Sequence, residues 1–169
     1  KINDKHITKG IEKSKLMCRF EIIQHKPMVI LDGAHNKAKI ETVVNNLKKI
    51  AYKKLYLVIG IADNKDHISI LKQIISKADY VFFTRFQNKD RKCADPEELF
   101  KKSKEYLKNE SKAKIYLDPE NALLNTLKLA KYNDLILITG SFFLVGELRN
   151  YWFSEEEILK KRRAIFFKN

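Results

Sequence analysis

Apolar and polar positions along the chain follow two alternating patterns. Short runs that are almost entirely apolar, such as Lys54–Gly60 and Asp134–Gly140, are typical of strands buried on both faces. Between these runs, apolar residues recur every three or four positions, which is the spacing of an amphipathic helix. We predict six strands, over Arg19–His25, Met28–Asp32, Lys54–Gly60, Asp79–Arg85, Ala113–Asp118 and Asp134–Gly140.

The second pattern predicts five helices. Asp95 and Asp118 each precede a proline and are typical N-cap residues, while Asp66 falls in the first turn of the second helix. In that second helix we expect an inward face made of Ile68, Leu71, Ile74 and Ile75. The helices are predicted over Asn36–Ile50, Asp66–Ala78, the segment after Asp95, Pro119–Tyr132 and Ser141–Trp152.

The order of these elements predicts the fold. Four strand–helix–strand passages with nearly continuous apolar strands indicate a mostly parallel, doubly wound (Rossmann-like) α/β sheet of about six strands with helices on both faces. Lys26-Pro27 separates the first two strands, which we expect to form a hairpin with one antiparallel edge strand. A chain of 169 residues suits a single domain, 1–169, and we predict a helical tail over 153–169 that starts with a capping pattern, Ser154–Glu157.

Polar residues gather where the predicted strands end. In open sheets of this class, ligands bind at the carboxyl ends of the strands. The loops that reach this edge are Asp32–Asn36, Gly60–Asp66, Thr84–Ala94, Asp118 and Gly140–Phe142.

The loop DGAHN, Asp32–Asn36, carries the most chemistry. Asp32 offers an acceptor for ribose hydroxyls or an ammonium group, and His35 can hold a negative oxygen or move a proton near neutral pH. The helix that follows supplies free N–H groups for an anion. The same residues also fit a simple helix cap, with Asn36 as the capping residue and Gly33 as the turn. The spacing alone does not choose between these interpretations.

Three further features have a functional and a structural interpretation. Gly140-Ser141 fits a phosphate or carboxylate cradle, or an N-cap. Lys65 and Asp66 fit an anion or domain contact, or a solvated turn. Arg19 beside the cleft suits phosphate recognition, or a surface ion pair of little energetic consequence.

Other classes of site are absent from the sequence. The five glycines form neither a Walker A loop nor GxGxxG, so the chain has no recognisable site of its own for the β- and γ-phosphates of ATP. Cys18 and Cys93 lie far apart, which indicates no structural zinc site and a reduced, cytoplasmic chain. No apolar run approaches the length of a membrane span, and we expect no metal ligands.

The formal net charge of +13 allows two explanations. An excess of this size can indicate nucleic acid or another polyanion as partner. A compositional bias is the alternative, because lysine greatly outnumbers arginine and the chain is also rich in Ile and Asn. The lysines are spread without a long basic block, and readers of base edges usually rely on arginine. We therefore expect no nucleic-acid partner.

Together these segments resemble one known family. The strings CRFE, VILDGAHN, GIADNKD and GSFFLVGELR occur in the order and spacing of the C-terminal domain of folylpolyglutamate synthase/dihydrofolate synthase, a branch of the Mur ligase superfamily. The resemblance covers roughly Ile7 to Arg149. DGAHN alone is shared with other Mur ligases, whereas GSFFLVGELR is typical of the folate enzymes. One departure is Cys18, where the family usually has glycine before the arginine.

The resemblance implies an enzyme and a set of roles. The family uses ATP and magnesium to phosphorylate a carboxylate of pteroate or folate, and the amine of glutamate attacks the acyl phosphate to form an amide. By motif position, Arg19 and Asp32 match residues that contact ATP, and His35 and Ser141 match positions associated with the incoming glutamate and the reacting centre. Residues expected to contact glutamate or to act in domain closure are Asn36, Lys65 and Asp66.

The resemblance also implies that the full enzyme has a second, N-terminal domain. The family's N-terminal domain carries the Walker A loop, the magnesium ligands and most of the folate pocket. The chain begins with Lys1 rather than Met, so we expect it to be a piece of a longer enzyme, and inactive without that ATPase domain. Two alternatives remain: the C-terminal domain of another Mur-type amino-acid ligase, and a non-catalytic module that binds a nucleotide or polyanion.

Overall fold

In the part of the chain that the structure describes, six strands form one sheet in the order β1-β2-β6-β3-β4-β5. β1 pairs antiparallel with β2, and the other pairs of this sheet are parallel. The computed structural model that shows this sheet describes residues 16–154 and residue 156. The predicted mostly parallel sheet with one antiparallel edge strand is therefore confirmed. The strands are β1 Glu21–His25, β2 Met28–Leu31, β3 Leu55–Ile59, β4 Tyr80–Phe83, β5 Ala113–Ile115 and β6 Leu135–Thr139.

Within residues 16–154, five α-helices connect or follow the strands, and each is preceded by an N-cap residue whose side chain accepts a hydrogen bond from the first turn. Asp95 and Asp118 are N-caps, as predicted. Short 3₁₀ turns follow α2 and α3 and precede β5. The helices are α1 Lys37–Leu47, α2 His67–Ile74, α3 Pro96–Ser103, α4 Pro119–Leu129 and α5 Phe142–Arg149.

Helices cover both faces of the sheet, which confirms the doubly wound architecture. Because side chains alternate along a strand, β6 sends Leu135 and Leu137 to one apolar cluster and Ile136 and Ile138 to another. The first cluster contains the buried aliphatic residues of α1, α2 and α3, and the second contains those of α4 and α5. Burial on both faces explains why the parallel strands are almost continuously apolar.

The inward face of α2 differs from the prediction. Asp66 is the N-cap rather than a first-turn residue, and the buried positions are His67, Ile70, Leu71 and Ile74. Ile68 is 45% exposed, so its predicted inward position was wrong. The face that starts at His67 follows the i, i+3, i+4, i+7 spacing, and Ile68 falls on its flank.

Several predicted elements were too long, and one residue was placed on the wrong element. Arg19 lies in the turn before β1 rather than on the edge strand. β5 ends at Ile115, α4 at Leu129 and α5 at Arg149, and each of them is followed by backbone that is neither helix nor strand. The predicted tail at 153–169 and its capping pattern lie, apart from residues 153, 154 and 156, outside the described residues.

A close approach of backbones closes the carboxyl end of the sheet. Gly140 directly follows β6 with φ 100°, and a Cβ there would lie 2.6 Å from the carbonyl oxygen of Gly60 after β3. Only a residue without a Cβ allows both the left-handed conformation and the contact. Gly140 also donates its N–H to the carbonyl of Ala34 at 3.0 Å, so the loop after β2 is drawn to the same point.

None of the helices within the described part of the chain is long and apolar enough to cross a bilayer.

We predict that Gly140→Ala destabilises the fold by about 3 kcal/mol, because it adds both backbone strain and a clash with Gly60. Gly146→Ala is the matched control: Gly146 lies inside α5 with nothing within 4 Å of an added Cβ, so alanine there should stabilise by about 0.5–1 kcal/mol. Urea unfolding of both variants measures the difference. Equal effects of the two substitutions would contradict the close approach at Gly140.

Candidate functional site

The crevice at the carboxyl end of the sheet lies where neighbouring strands send their helices to opposite faces. α1 and α2, which follow β2 and β3, pack on one face, whereas α5, which follows β6 between them, packs on the other. A ligand crevice is expected at such a switch point. Three predicted site residues, His35, Lys65 and Ser141, line one cavity of about 220 Å³ there.

Asp32 ties the end of β2 to the turn that carries Arg19. One carboxylate oxygen accepts the N–H of Phe20 and the other accepts the N–H of Ala34, both at 2.8 Å. Burial raises the pKa of Asp32, while these two hydrogen bonds and the charges of Arg19 and Lys39 act to lower it. With both oxygens already bonded and 8% of the residue exposed, Asp32 has only its remaining lone pairs for a ligand.

The turn before β1 holds Arg19 between two strained residues. Cys18 has φ 58° and Phe20 has φ 45°, both in the left-handed region, which costs a non-glycine residue about 1–2 kcal/mol. This explains why glycine suits the position of Cys18 in the family that the chain resembles. Glu21 stabilises the turn by accepting the N–H of Cys18 at 2.9 Å. Arg19 itself is exposed.

Phe142 joins Arg19 to the cavity. The guanidinium carbon of Arg19 lies 4.6 Å from the centroid of the Phe142 ring, and the His35 ring lies 5.7 Å from it at a tilt of 57°. The same ring covers Gly33, where a Cβ would come within 2.4 Å of it. Gly33 is therefore needed so that Phe142 can hold Arg19 and His35 side by side.

The contacts of His35 define its tautomer. Its Nδ1 lies 2.8 Å from the carbonyl oxygen of Gly33, which can only accept, so Nδ1 carries the proton. Its Nε2 lies 3.2 Å from the Nζ of Lys39, which can only donate, so Nε2 accepts. In this arrangement Nδ1 is the donor of the His35 ring, and Nε2, on the side of Lys39, is its acceptor.

The helix-cap interpretation holds in the structure for Asn36, Asp66 and Ser141. The Oγ of Ser141 accepts the N–H of Phe143 at 3.1 Å, which leaves its own O–H free to donate into the cavity. Asn36 accepts the N–H of Lys39, and Asp66 accepts from the backbone and hydroxyl of Ser69, which lowers the pKa of Asp66. Asn36 and Asp66 are exposed and do not line the cavity.

Sequence reasoning missed several residues that line the cavity. Phe142 and Phe143 follow Ser141 directly, but an apolar pair at a helix start gives no signal of a site. Arg91 comes from the loop after β4, which was predicted to reach this edge, yet it is one of 34 cationic side chains. Asn64 completes the lining beside Lys65.

Two loops are joined beside the cavity. An antiparallel bridge pairs Ala62 with Cys93, and the N–H of Asp63 donates to the carbonyl of Lys92 at 3.0 Å. Because this pairing links the loop after β3 to the loop after β4, Arg91 reaches the cavity from a second direction.

The lining is cationic. Lys65 and Arg91 contribute side chains to it, and the N-terminus of α5 points to the same place. Within the described residues, no group of three or more His, Cys, Asp or Glu side chains could hold a metal ion. The arrangement suits an anion such as a phosphate or a carboxylate.

Glu21 and Arg149 join two of the quoted motifs, CRFE and GSFFLVGELR. The guanidinium of Arg149 donates to both oxygens of Glu21, with Nη2–Oε1 at 2.9 Å and Nε–Oε2 at 3.1 Å. The side chains are 12% and 19% exposed, so solvent screens the pair only partly. The pair stabilises the turn that presents Arg19.

A doubly wound α/β domain with a crevice at its switch point, lined by Lys65, Arg91, His35 and Ser141, is thus the class that the fold and the site define. Residues 18–142 match the family model described as Mur ligase, glutamate ligase domain, and the chain belongs to this family. A dihydrofolate synthase/folylpolyglutamate synthase of Buchnera aphidicola subsp. Acyrthosiphon pisum is 32% identical over 148 residues, which are 87% of this chain and 34% of that protein.

Solved structures agree in fold. A folylpolyglutamate synthase of Mycobacterium tuberculosis, complexed with ADP and AMPPCP, has a TM-score of 0.82 at 20% identity, over 92% of this chain and 36% of that one. A bifunctional folylpolyglutamate synthase/dihydrofolate synthase of Yersinia pestis, complexed with AMPPNP and Mn ion, has a TM-score of 0.76 at 24% identity, over 89% of this chain and 35% of that one. The resemblance read from the sequence is therefore confirmed, and the chain spans about a third or less of the curated relatives it matches.

We predict that Gly33→Ala destabilises the protein by about 2 kcal/mol, because the new methyl group displaces the Phe142 ring. In a Phe142→Ala background the same substitution should cost about 1 kcal/mol less, since the clash is gone. A double-mutant cycle by urea unfolding measures this coupling. Additive effects would show that Gly33 and Phe142 do not constrain each other.

We predict that Arg149→Leu costs about 2 kcal/mol, because it removes the two hydrogen bonds that the guanidinium donates to the largely buried Glu21. Lys104→Leu is the control, since it removes the cation of the exposed Lys104–Glu110 pair and should cost at most about 0.5 kcal/mol. Hydrogen exchange at the amide of Cys18 gives a second readout, because Glu21 accepts that N–H. Unchanged exchange in the Arg149 variant would contradict the stabilisation of the turn.

Proposed function

We propose that the chain is the C-terminal domain of an ATP-dependent ligase that joins glutamate to a carboxylate of folate or pteroate. The convergence of His35, Lys65 and Ser141 on one cationic cavity carries this proposal. These residues come from the DGAHN, GIADNKD and GSFFLVGELR segments, which are separate in sequence. The domain would supply the ATP and glutamate sides of a cleft, and its own N-terminal ATPase domain would supply the rest.

The named ligands of related structures support the nucleotide and the amino acid. The Yersinia pestis structure is described as complexed with AMPPNP and Mn ion, and the Mycobacterium tuberculosis structure with ADP and AMPPCP. Another structure of a bifunctional folylpolyglutamate synthase/dihydrofolate synthase is described with Mn, AMPPNP and L-glutamate bound. The crevice described above suits both kinds of ligand, because phosphates and carboxylates are recognised by the same cationic side chains and helix N-termini. We assign magnesium to the N-terminal domain.

Arg19 and Asp32 serve the nucleotide in this proposal. When bound, ATP with its magnesium converts the acceptor carboxylate into an acyl phosphate and leaves as ADP. The exposed guanidinium of Arg19, which lies over Phe142, would contact phosphate oxygens. Asp32 positions that arginine through the N–H of Phe20, and its remaining lone pairs would accept hydrogen bonds from the nucleotide.

His35 and Ser141 serve the amide-forming step. The attack of the glutamate amine on the acyl carbon forms a C–N bond, the C–O bond to phosphate breaks, and the amine loses a proton. The O–H of Ser141 would donate to the developing negative charge, and the lone pair of His35 Nε2 would accept the proton that the amine loses. Lys65 adds a cation for a carboxylate of glutamate, and Asn36 and Asp66 would contact glutamate or the other domain on closure.

A reducing compartment, the cytoplasm, fits the proposal. Cys18 and Cys93 are both free thiols, as expected for a chain that does not depend on disulfides.

The test is turnover by the full-length protein with ATP, and dihydropteroate or tetrahydrofolate, in the presence and absence of glutamate. We predict that ADP formation requires both the pterin and glutamate, and that His35→Ala lowers turnover at least about 100-fold. His25→Ala is the matched control, because His25 is an exposed histidine at the opposite edge of the sheet and should leave turnover unchanged.

The outcomes separate the alternatives. Turnover that depends on another amino acid would point to a different Mur-type ligase. Undiminished turnover in His35→Ala would show that His35 has no catalytic role. A full-length protein with no ATP-dependent ligation, whose C-terminal domain nevertheless binds a nucleotide or polyanion, would be a binding module. Tight nucleic-acid binding with a steep salt dependence would favour that last reading.

A further inference from the structure

A second cavity adjoins the candidate site. It has a volume of about 660 Å³ and is formed by the segment after β4. Arg91 lines both this cavity and the one that contains His35 and Ser141, so the two cavities are neighbours that share its side chain. We call the second cavity the basic groove, after its four cationic lining residues, Arg85, Lys89, Arg91 and Lys92.

The charges of the basic groove are largely available to a ligand. Lys92 contacts Asp63 at 3.5 Å, but Arg85, Lys89 and Arg91 form no ion pair within the described part of the chain. The Nε of Arg85 donates to the carbonyl of Leu117 at 3.0 Å, which orients its two terminal amino groups. Carboxylates also lie nearby: Asp90 is in the same segment, and Glu147 accepts the N–H of Gln87. Asp63, Asp95 and Glu98 line an adjoining cavity together with Arg85 and Lys92.

Both ends of the segment that forms the basic groove are anchored to the rest of the domain. Phe86 is 3% exposed and stacks on Phe143 at 5.5 Å between ring centroids, which anchors the start of the segment on α5. The Ala62–Cys93 bridge anchors its end on the loop after β3. The cations between these anchors are therefore held along one edge of the candidate site.

The chemistry of the groove favours separated carboxylates. Its cations are distributed along an extended segment, whereas a triphosphate needs several donors at one point. Its aromatic residue, Phe86, is buried, so it offers no platform on which the bases of a single-stranded nucleic acid could stack. Gln87 and Asn88 add amide donors for carboxylate oxygens.

We propose that the basic groove binds an extended oligo-carboxylate, the γ-linked glutamyl chain of a substrate or product, beside the site where glutamate is added. This assignment rests on the proposed function, because that function supplies a ligand with one free carboxylate for each added glutamate. Arg91 would contact the chain where it leaves the reacting centre, and Lys89 and Arg85 would contact residues further along.

Binding of fluorescently labelled γ-linked penta-L-glutamate to the chain tests the groove without any turnover. We expect Arg85→Gln/Lys89→Gln to weaken binding about fivefold, since each exposed pair contributes modestly. The matched control is Lys48→Gln/Lys72→Gln, which removes the same charge from exposed lysines in a groove between α1 and α2 and should change binding less than about twofold. Oligothymidylate of equal charge is the competitor.

Three results would overturn the proposal: no binding of the pentamer by the wild-type chain, equal weakening by the two double variants, or displacement of the pentamer by oligothymidylate at equal concentration. In the full-length protein, Arg85→Gln/Lys89→Gln should shorten the glutamylated products. A protein that ligates no glutamate, yet whose pentamer binding falls in the groove variant, would refute the proposed function and leave the groove as an oligo-carboxylate site.

Discussion

The close approach of the strand ends at the carboxyl edge of the sheet is the constraint on which the site depends. Gly140 comes so near to Gly60 that a single methyl group would separate β6 from β3. The Phe142 ring, two residues further along, covers Gly33 just as closely. These contacts bring the starts of α1, α2 and α5 to one point although α5 packs on the other face of the sheet. His35, Lys65 and Ser141 face one cavity for that reason.

Two carboxylates stabilise the strained turn that presents Arg19. Asp32 and Glu21 accept backbone N–H groups of Phe20 and Cys18, the two residues with positive φ. Glu21 is itself held by Arg149 at the end of α5. The hydrogen bonds offset the conformational cost, which is the usual way a fold maintains strain beside a functional site. Motif residues that suggest a functional site in the sequence, such as Asp32, therefore also hold the turn of Arg19 in place.

Some of the positive charge of this protein is concentrated at the candidate site. The lysines that produce the net charge of +13 are spread over the whole sequence. At the carboxyl edge, however, Arg19, Lys39, Lys65 and Arg91 lie around one crevice, and the basic groove extends it. A cleft that receives phosphates and carboxylates gains from this arrangement, because cations in a concave surface attract anionic ligands more strongly than isolated surface charges do.

The sequence by itself determined the order and type of the elements, the parallel sheet and its antiparallel edge, because buried strands and amphipathic helices leave periodic patterns. It also indicated the loops of the site and, through four motifs, the family. It misplaced Ile68 and the ends of β5, α4 and α5. Local periodicity does not show at which residue a helix or strand ends, or which of two neighbouring apolar residues faces the core. Only the tertiary structure decided which polar groups meet: it joined Glu21 to Arg149, placed Phe142 between Arg19 and His35, and brought in Arg91. These contacts connect residues that are distant in the chain, and their geometry comes from the packing of the strand ends rather than from any local pattern.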